Sequence, residues 1–275
     1  MKVLIIALLV TIAGAFASEN PSARLTGGTV TTAGQYPAAV SIDTPYQLHC
    51  GGTILNLNHV LTAAWCVMHP TTFVLLNPFW LRVIAGDLNL VPVGYRRETR
   101  NVTHLFVHPN YNRVTNNHDL AVIRVNAPFP EFHNTIEPAI MNTRLLPINT
   151  QCEYAGWGAA TNAVGAPLNP AQRSAVAPIL TTVSCNAANI HNNRVLPTMI
   201  CAGSLTATAN TVCQGNIGGG LYCTGQLTGV LTFGLACGAA NQPGVYIDIR
   251  QYRQWIDTQF TRTDNPQPGW VPSPQ

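Results

Sequence analysis

The sequence predicts an all-β fold, a barrel or a sandwich, with one helix at its C-terminal end. Three observations carry that expectation. Short runs of β-branched and aromatic residues recur along the 275-residue chain, with Gly, Pro and Asn turns between them. Hydrophobic residues make up 47% and charged residues 9%, which excludes a disordered polyampholyte and suits a compact β-rich domain. Helical periodicity is clear in one segment only, near the C-terminus.

Taken in order, the chain opens with Lys2, the apolar run "VLIIALLVTIAGAF" and the small-residue string Ala15–Ala17. That order of charge, apolar core and small residues predicts a signal peptide over 1–17. The run is shorter than the roughly 20 residues a spanning helix needs, so no membrane anchor is expected. "SENPSAR" (18–24) is read as a propeptide, and Arg24 followed by Leu25 as a proteolytic activation site. Strands are then expected in "YPAAVSI", "GGTILNLNHVLTAA", "WLRVIAG", "NVTHLFVH", "LAVIRV", "QCEYAGWG", "QLTGVLTFG" and "PGVYIDI". In "DIRQYRQWIDTQF", Ile249, Tyr252, Trp255 and Ile256 share one helical face. Residues 261–275 are Pro-rich and polar and read as a loose tail.

Charge and cysteine usage narrow the function classes. The net charge is +3, and the first 24 residues hold a net +1 of it through Lys2, Glu19 and Arg24. The remaining balance is too small to argue for nucleic acid. Basic "RRETR" (96–100) reads as a solvated loop. The eight cysteines form no CxxC pair and read as a disulfide framework of an exported protein, not as metal ligands. Histidines 49, 59, 69, 104, 108, 118, 133 and 191 show no metal-binding spacing. No metal and no cofactor is expected. Asn101, in "NVT", is the one glycosylation sequon. Lys2 is the only lysine. Arginine keeps its charge in alkali where lysine loses it, so an alkaline gut lumen is one expected setting. Resistance to lysine-directed proteolysis, or drift, gives the same pattern.

At "CGGTILNLNHVLTAAWC", "NNHDLAVIRV", "AGWG", "CQGNIGGG" and "QPGVY", the chain resembles the chymotrypsin/trypsin serine protease family. The resemblance runs over 25–260 and implies two six-stranded antiparallel β-barrels (chymotrypsin-like) with a C-terminal helix. It also implies the pairings Cys50–Cys66, Cys152–Cys223, Cys185–Cys201 and Cys213–Cys237. The family's catalytic histidine, aspartate and serine fall at Trp65, Asp119 and Ile217. An indole N–H only donates, and an isoleucine side chain has no nucleophile. The backbone N–H groups of Gly215 and Ile217 match the oxyanion hole. Asn216 stands where the family has the aspartate that pairs with the amino terminus freed at Leu25. Thr211 matches the floor of the specificity pocket, Thr232, Phe233, Gly234 and Gly244 its walls, and Phe233 stands where tryptophan is usual. Thr232 is also expected to donate to Asp119, with the Trp65 indole as a second donor. His118 is expected on the opposite strand face from Asp119.

From that resemblance the expectation is a secreted, arthropod-like serine protease homologue that is not an enzyme. It would act by binding an unknown protein or peptide partner, as regulator, decoy or cofactor, and as a monomer. An active serine endopeptidase and a gut-lumen protein that captures protease inhibitors or other ligands are the alternatives. The apolar "HPTTFVLLNPFWL" (69–81) is expected to be partly buried strand, with any exposed remainder a partner patch.

Overall fold

The computed structural model describes residues 28–44, 49–130, 134–159, 168–205, 216–234 and 242–264. The leader, the propeptide, Arg24, Leu25, His133, Gly215, Thr211, the Cys213–Cys237 pair and the tail beyond 264 lie outside these residues.

Six strands close the first unit into a barrel, in the order β2 (Ala39–Asp43), β3 (His49–Asn56), β4 (His59–Thr62), β7 (Ala121–Val125), β6 (Glu98–Val107) and β5 (Arg82–Ala85). All its pairs are antiparallel. Inward residues such as Val40, Ile42, Ile54, Val60, Leu105 and Ile123 are almost fully buried, as a barrel interior filled by side chains requires.

The second unit is a seven-stranded antiparallel sheet. Its order is β1 (Thr29–Val30), β9 (Arg173–Val176), β8 (Cys152–Gly156), β11 (Gly220–Cys223), β12 (Gln226–Phe233), β13 (Gly244–Asp248) and β10 (Met199–Ala202). The segment after β9 reaches round to β10: Leu180 N–H donates to Cys201 O at 2.9 Å, and Gly203 N–H to Pro178 O at 3.0 Å. These bonds draw the open edges together, as in a barrel. The architecture is the mostly-β, chymotrypsin-like one expected. The C-terminal segment begins as a 3-10 turn (Ile249–Tyr252) and continues as α2 (Arg253–Gln259), after the short α1 (Thr182–Cys185). Ile249, Tyr252 and Ile256 are buried, and Trp255 is half-buried against the core.

Three of the implied disulfides are formed: Cys50–Cys66, Cys152–Cys223 and Cys185–Cys201. Residues 69–81 differ from the expected strand. Met68 and Leu75 make an isolated bridge, and Pro78–Trp80 form a 3-10 turn. Pro78 at its start and the Asn77 side chain accepting from Phe79 N–H favour that turn over a strand. Leu75, Leu76 and Leu81 are buried, whereas Phe79 is 74% and Trp80 54% exposed.

Candidate functional site

The two units meet where β3 faces the segment leading into β11. Gly51 N–H donates to Ile217 O at 2.7 Å, and Thr62 Oγ1 donates to Gly51 O at 2.8 Å. A Cβ on Gly51 would lie 2.7 Å from Gly219 Cα, so the two backbones touch only because both residues are glycine. Gly218 has φ +83°, and a Cβ there would collide with Thr62 Oγ1 and the Gly51 carbonyl. The "GGG" run therefore serves the seam between the units.

Asp119 lies at this seam, one residue short of the Leu120–Ala121 step into β7, and is fully buried. Thr232 Oγ1, on β12 of the other unit, donates to its Oδ2 at 2.5 Å. Trp65 donates to its Oδ1 at 2.9 Å, through the backbone N–H and not the expected indole. The Ala64 N–H is a further backbone donor to the carboxylate. A 3-10 turn over Ala64–Val67 aims these N–H groups inward. Backbone donors have no signature in side-chain identity, so sequence reasoning named the wrong atom of the right residue. Burial pushes the Asp119 carboxyl up to about 6, against the opposing pull of Thr232 and the two backbone donors.

Trp65 and Ile217 are partly buried and pack on the main hydrophobic core. Their backbones are close, since Ile217 O lies 3.5 Å from Sγ of Cys66, the residue after Trp65. Phe233 is buried too, with the His191 ring at 5.5 Å and edge-on, and the Arg194 guanidinium 4.7 Å over its face. Gly234 has φ +95°, and a Cβ there would meet Pro243 O at 2.5 Å. A Cβ on Gly244 would meet the Tyr246 ring at 2.9 Å. Packing thus accounts for glycine at both wall positions.

Asn216 is 3% exposed. Its Oδ1 accepts from Gly158 N–H at 3.0 Å, and its Nδ2 has no partner among the described residues. A side chain on either Gly156 or Gly158 would strike its amide, so the glycines of "AGWG" make its pocket. His118 does not lie on a strand. It sits in a turn at φ +54°, with Nδ1 2.9 Å from Tyr252 Oη and its ring stacked 4.9 Å from His108. It is thus turned to the C-terminal segment. Asn101 is exposed on β6, and Thr103 Oγ1 donates to Arg124 O at 3.1 Å. Among the described residues no three His, Cys, Asp or Glu side chains gather where they would hold a metal. No helix among those residues is long and apolar enough to cross a membrane.

With Asp119, its three donors and the glycine seam in place, comparison with known proteins decides the family. The Trypsin family model matches residues 25–256. The chain belongs to the trypsin family. "Serine protease 1" of Rattus norvegicus is 31% identical over 93% of this chain and 97% of its own. "Trypsin I-P1" of Gallus gallus is 29% identical over 94% and 98%, and "Anionic trypsin" of Bos taurus 29% over 93% and 97%. These matches overturn the expectation that the chain is not an enzyme. Its family and its relatives along nearly the whole length are proteases by name, and they support a protease here.

Proposed function

We propose that this trypsin-family protein works on polypeptide chains in an extracellular fluid, at the seam between its two β units. The observation that carries the proposal is the match to trypsins along almost the whole chain. The disulfides support an extracellular setting. Serine-type endopeptidase activity is the reading these comparisons favour. The backbone fits such work: Asp119 is held by Thr232 and two N–H donors, and Ile217 is anchored to Gly51 across the seam.

A second reading concerns what happens to a polypeptide once it is held. Trp65 has no proton acceptor in its ring and Ile217 no nucleophilic atom, where the family resemblance places the base and the nucleophile. That observation favours retention of the bound chain, as by a regulator, decoy or cofactor whose partner is a substrate-like peptide or the reactive loop of a protease inhibitor.

Turnover separates the two. The protein, cleaved after Arg24, is assayed on a panel of chromogenic peptides with an active-site serine label. A Trp65→His, Ile217→Ser, Asn216→Asp triple variant is assayed beside it. Hydrolysis by the natural chain supports the endopeptidase reading and sinks the second. Silence of the natural chain, with activity in the triple variant, sinks the endopeptidase reading and directs work to the retained partner.

A further inference from the structure

Away from the Trp65–Ile217 seam, the two units line an open cavity of about 480 Å³. The strap between the units runs along it. Glu137 N–H donates to Pro37 O at 3.2 Å and Ala139 N–H to Ile54 O at 2.8 Å, both on the barrel side. Ile140 O then accepts from Leu227 N–H at 2.9 Å, on β12. This double fastening ties the strap to both sheets beside the cavity. Such a junction is where ligand cavities preferentially lie.

The lining combines an aromatic pair with two carboxylates. The rings of Tyr36 and Tyr222 stand 5.8 Å apart, tilted by 46°. Tyr222 Oη and Thr53 Oγ1 are 3.2 Å apart, and Tyr36 Oη donates to Glu153 Oε2 at 2.7 Å. Both hydroxyls are thus tied, and the second bond also fixes the Glu153 carboxylate. Glu137 lines the same cavity from the strap.

Charge sets this cavity apart among the described residues. Among the described residues every other carboxylate except Asp119 lies within 4.0 Å of an arginine: Asp43, Asp87, Glu98, Asp248, Asp257 and Asp264. Glu137 and Glu153 join no such pair there, although the chain carries a net +3. Two exposed carboxylates with no arginine partner among the described residues, beside two tyrosine rings in one cleft, are complementary to a planar organic cation. A guanidinium offers bidentate N–H donors to the carboxylates and a flat face to the rings.

We propose that the cavity lined by Tyr36, Tyr222, Glu137 and Glu153 binds a guanidinium group, as carried by an arginine side chain. The site shares no residue with the Trp65–Ile217 centre and is independent of what happens there.

Titration of the whole protein with acetyl-arginine amide, followed by calorimetry, tests this. Its uncharged urea isostere, acetyl-citrulline amide, is the control. Saturable binding of the arginine compound, weakened by added salt, is expected. The Glu137→Gln/Glu153→Gln chain is expected to bind it about tenfold or more weakly, with circular dichroism and Tm confirming that it folds. Trp65→Ala is expected to leave the affinity unchanged. A peptide with the same arginine that binds more tightly identifies a polypeptide source, and equal affinity a free guanidinium compound. Equal binding of arginine and citrulline compounds, no saturable binding, or a loss confined to Trp65→Ala would each overturn the proposal.

Discussion

Thr232 donates its hydroxyl to Asp119 across 113 residues of sequence and across the seam between the two β units. The bond joins β12 to the segment leading into β7, so it couples the units as well as satisfying a buried carboxylate. Thr232→Val keeps the shape and removes the donor. The carboxylate then depends on the Trp65 and Ala64 backbone N–H groups. A loss on the order of 2 kcal/mol is expected, or roughly 4–8 °C in Tm. Calorimetry on natural and variant protein at one pH checks it. An unchanged Tm would mean that the bond contributes nothing net.

Gly218→Ala is expected to cost several kcal/mol, since it adds strain at φ +83° to a collision with Thr62 Oγ1 and the Gly51 carbonyl. Gly225 has a similar φ of +76°, with nothing within 4 Å of an added Cβ. Gly225→Ala therefore isolates the strain, about 1–2 kcal/mol. Denaturant midpoints of the two variants give the difference. Equal costs would show that the close approach of the units at Gly218 is unimportant.

The contrast between those glycines marks what the sequence discloses. β3, β6 and β7 are long or strongly apolar, and their runs name them. β9 ("RSAV") and β10 ("MICA") have four residues each, and β11 ("GLYC") sits against a glycine run that reads as a loop. Such strands exist because partners supply their hydrogen bonds, and pairing is not written in their own composition. The same holds at the site. Asp119 and Thr232 were legible as side chains at matched positions, whereas the Trp65 and Ala64 backbone donors depend on a 3-10 turn. The Tyr36–Tyr222–Glu137–Glu153 cavity collects residues from four separated stretches, which no local motif announces.

Acid is expected to destabilise the protein between about pH 6.5 and 4. His59 and His108 are both pushed down to about 4, first by burial, then by Arg124 and His104 for His59 and by His118 for His108. His59 Nδ1 lies 2.8 Å from Asn56 Oδ1, while its Nε2 has no partner among the described residues. A proton there has no acceptor to meet. In this window the unfolded chain binds protons that the native state refuses, so stability falls as pH falls. Asp119 runs the other way. Its carboxyl is pushed up to about 6, so its contribution is lost as pH rises from about 4 through 6. Two histidines outweigh one aspartate, and a net loss of a few kcal/mol on acidification is expected. His108→Phe and His59→Gln should each flatten the Tm-versus-pH curve. A curve that stays level to pH 4 would contradict this balance.

Asn216 is expected to set how much cleavage after Arg24 changes the stability of the fold. Its Nδ2 faces no acceptor among the described residues, and its Oδ1 already takes the Gly158 N–H. An amide cannot neutralise the ammonium freed at Leu25, so cleavage of the natural chain is expected to move Tm little. Asn216→Asp reverses the situation. In the uncleaved chain a carboxylate 3% exposed between Gly156 and Gly158 has no counter-charge among the described residues, which costs several kcal/mol. After cleavage the new ammonium offers that counter-charge, and Tm is expected to recover by several degrees. Scanning calorimetry on both chains, before and after cleavage, measures the four values. A rise in the natural chain as large as in the variant would show that the Asn216 amide holds the new terminus as well as a carboxylate does.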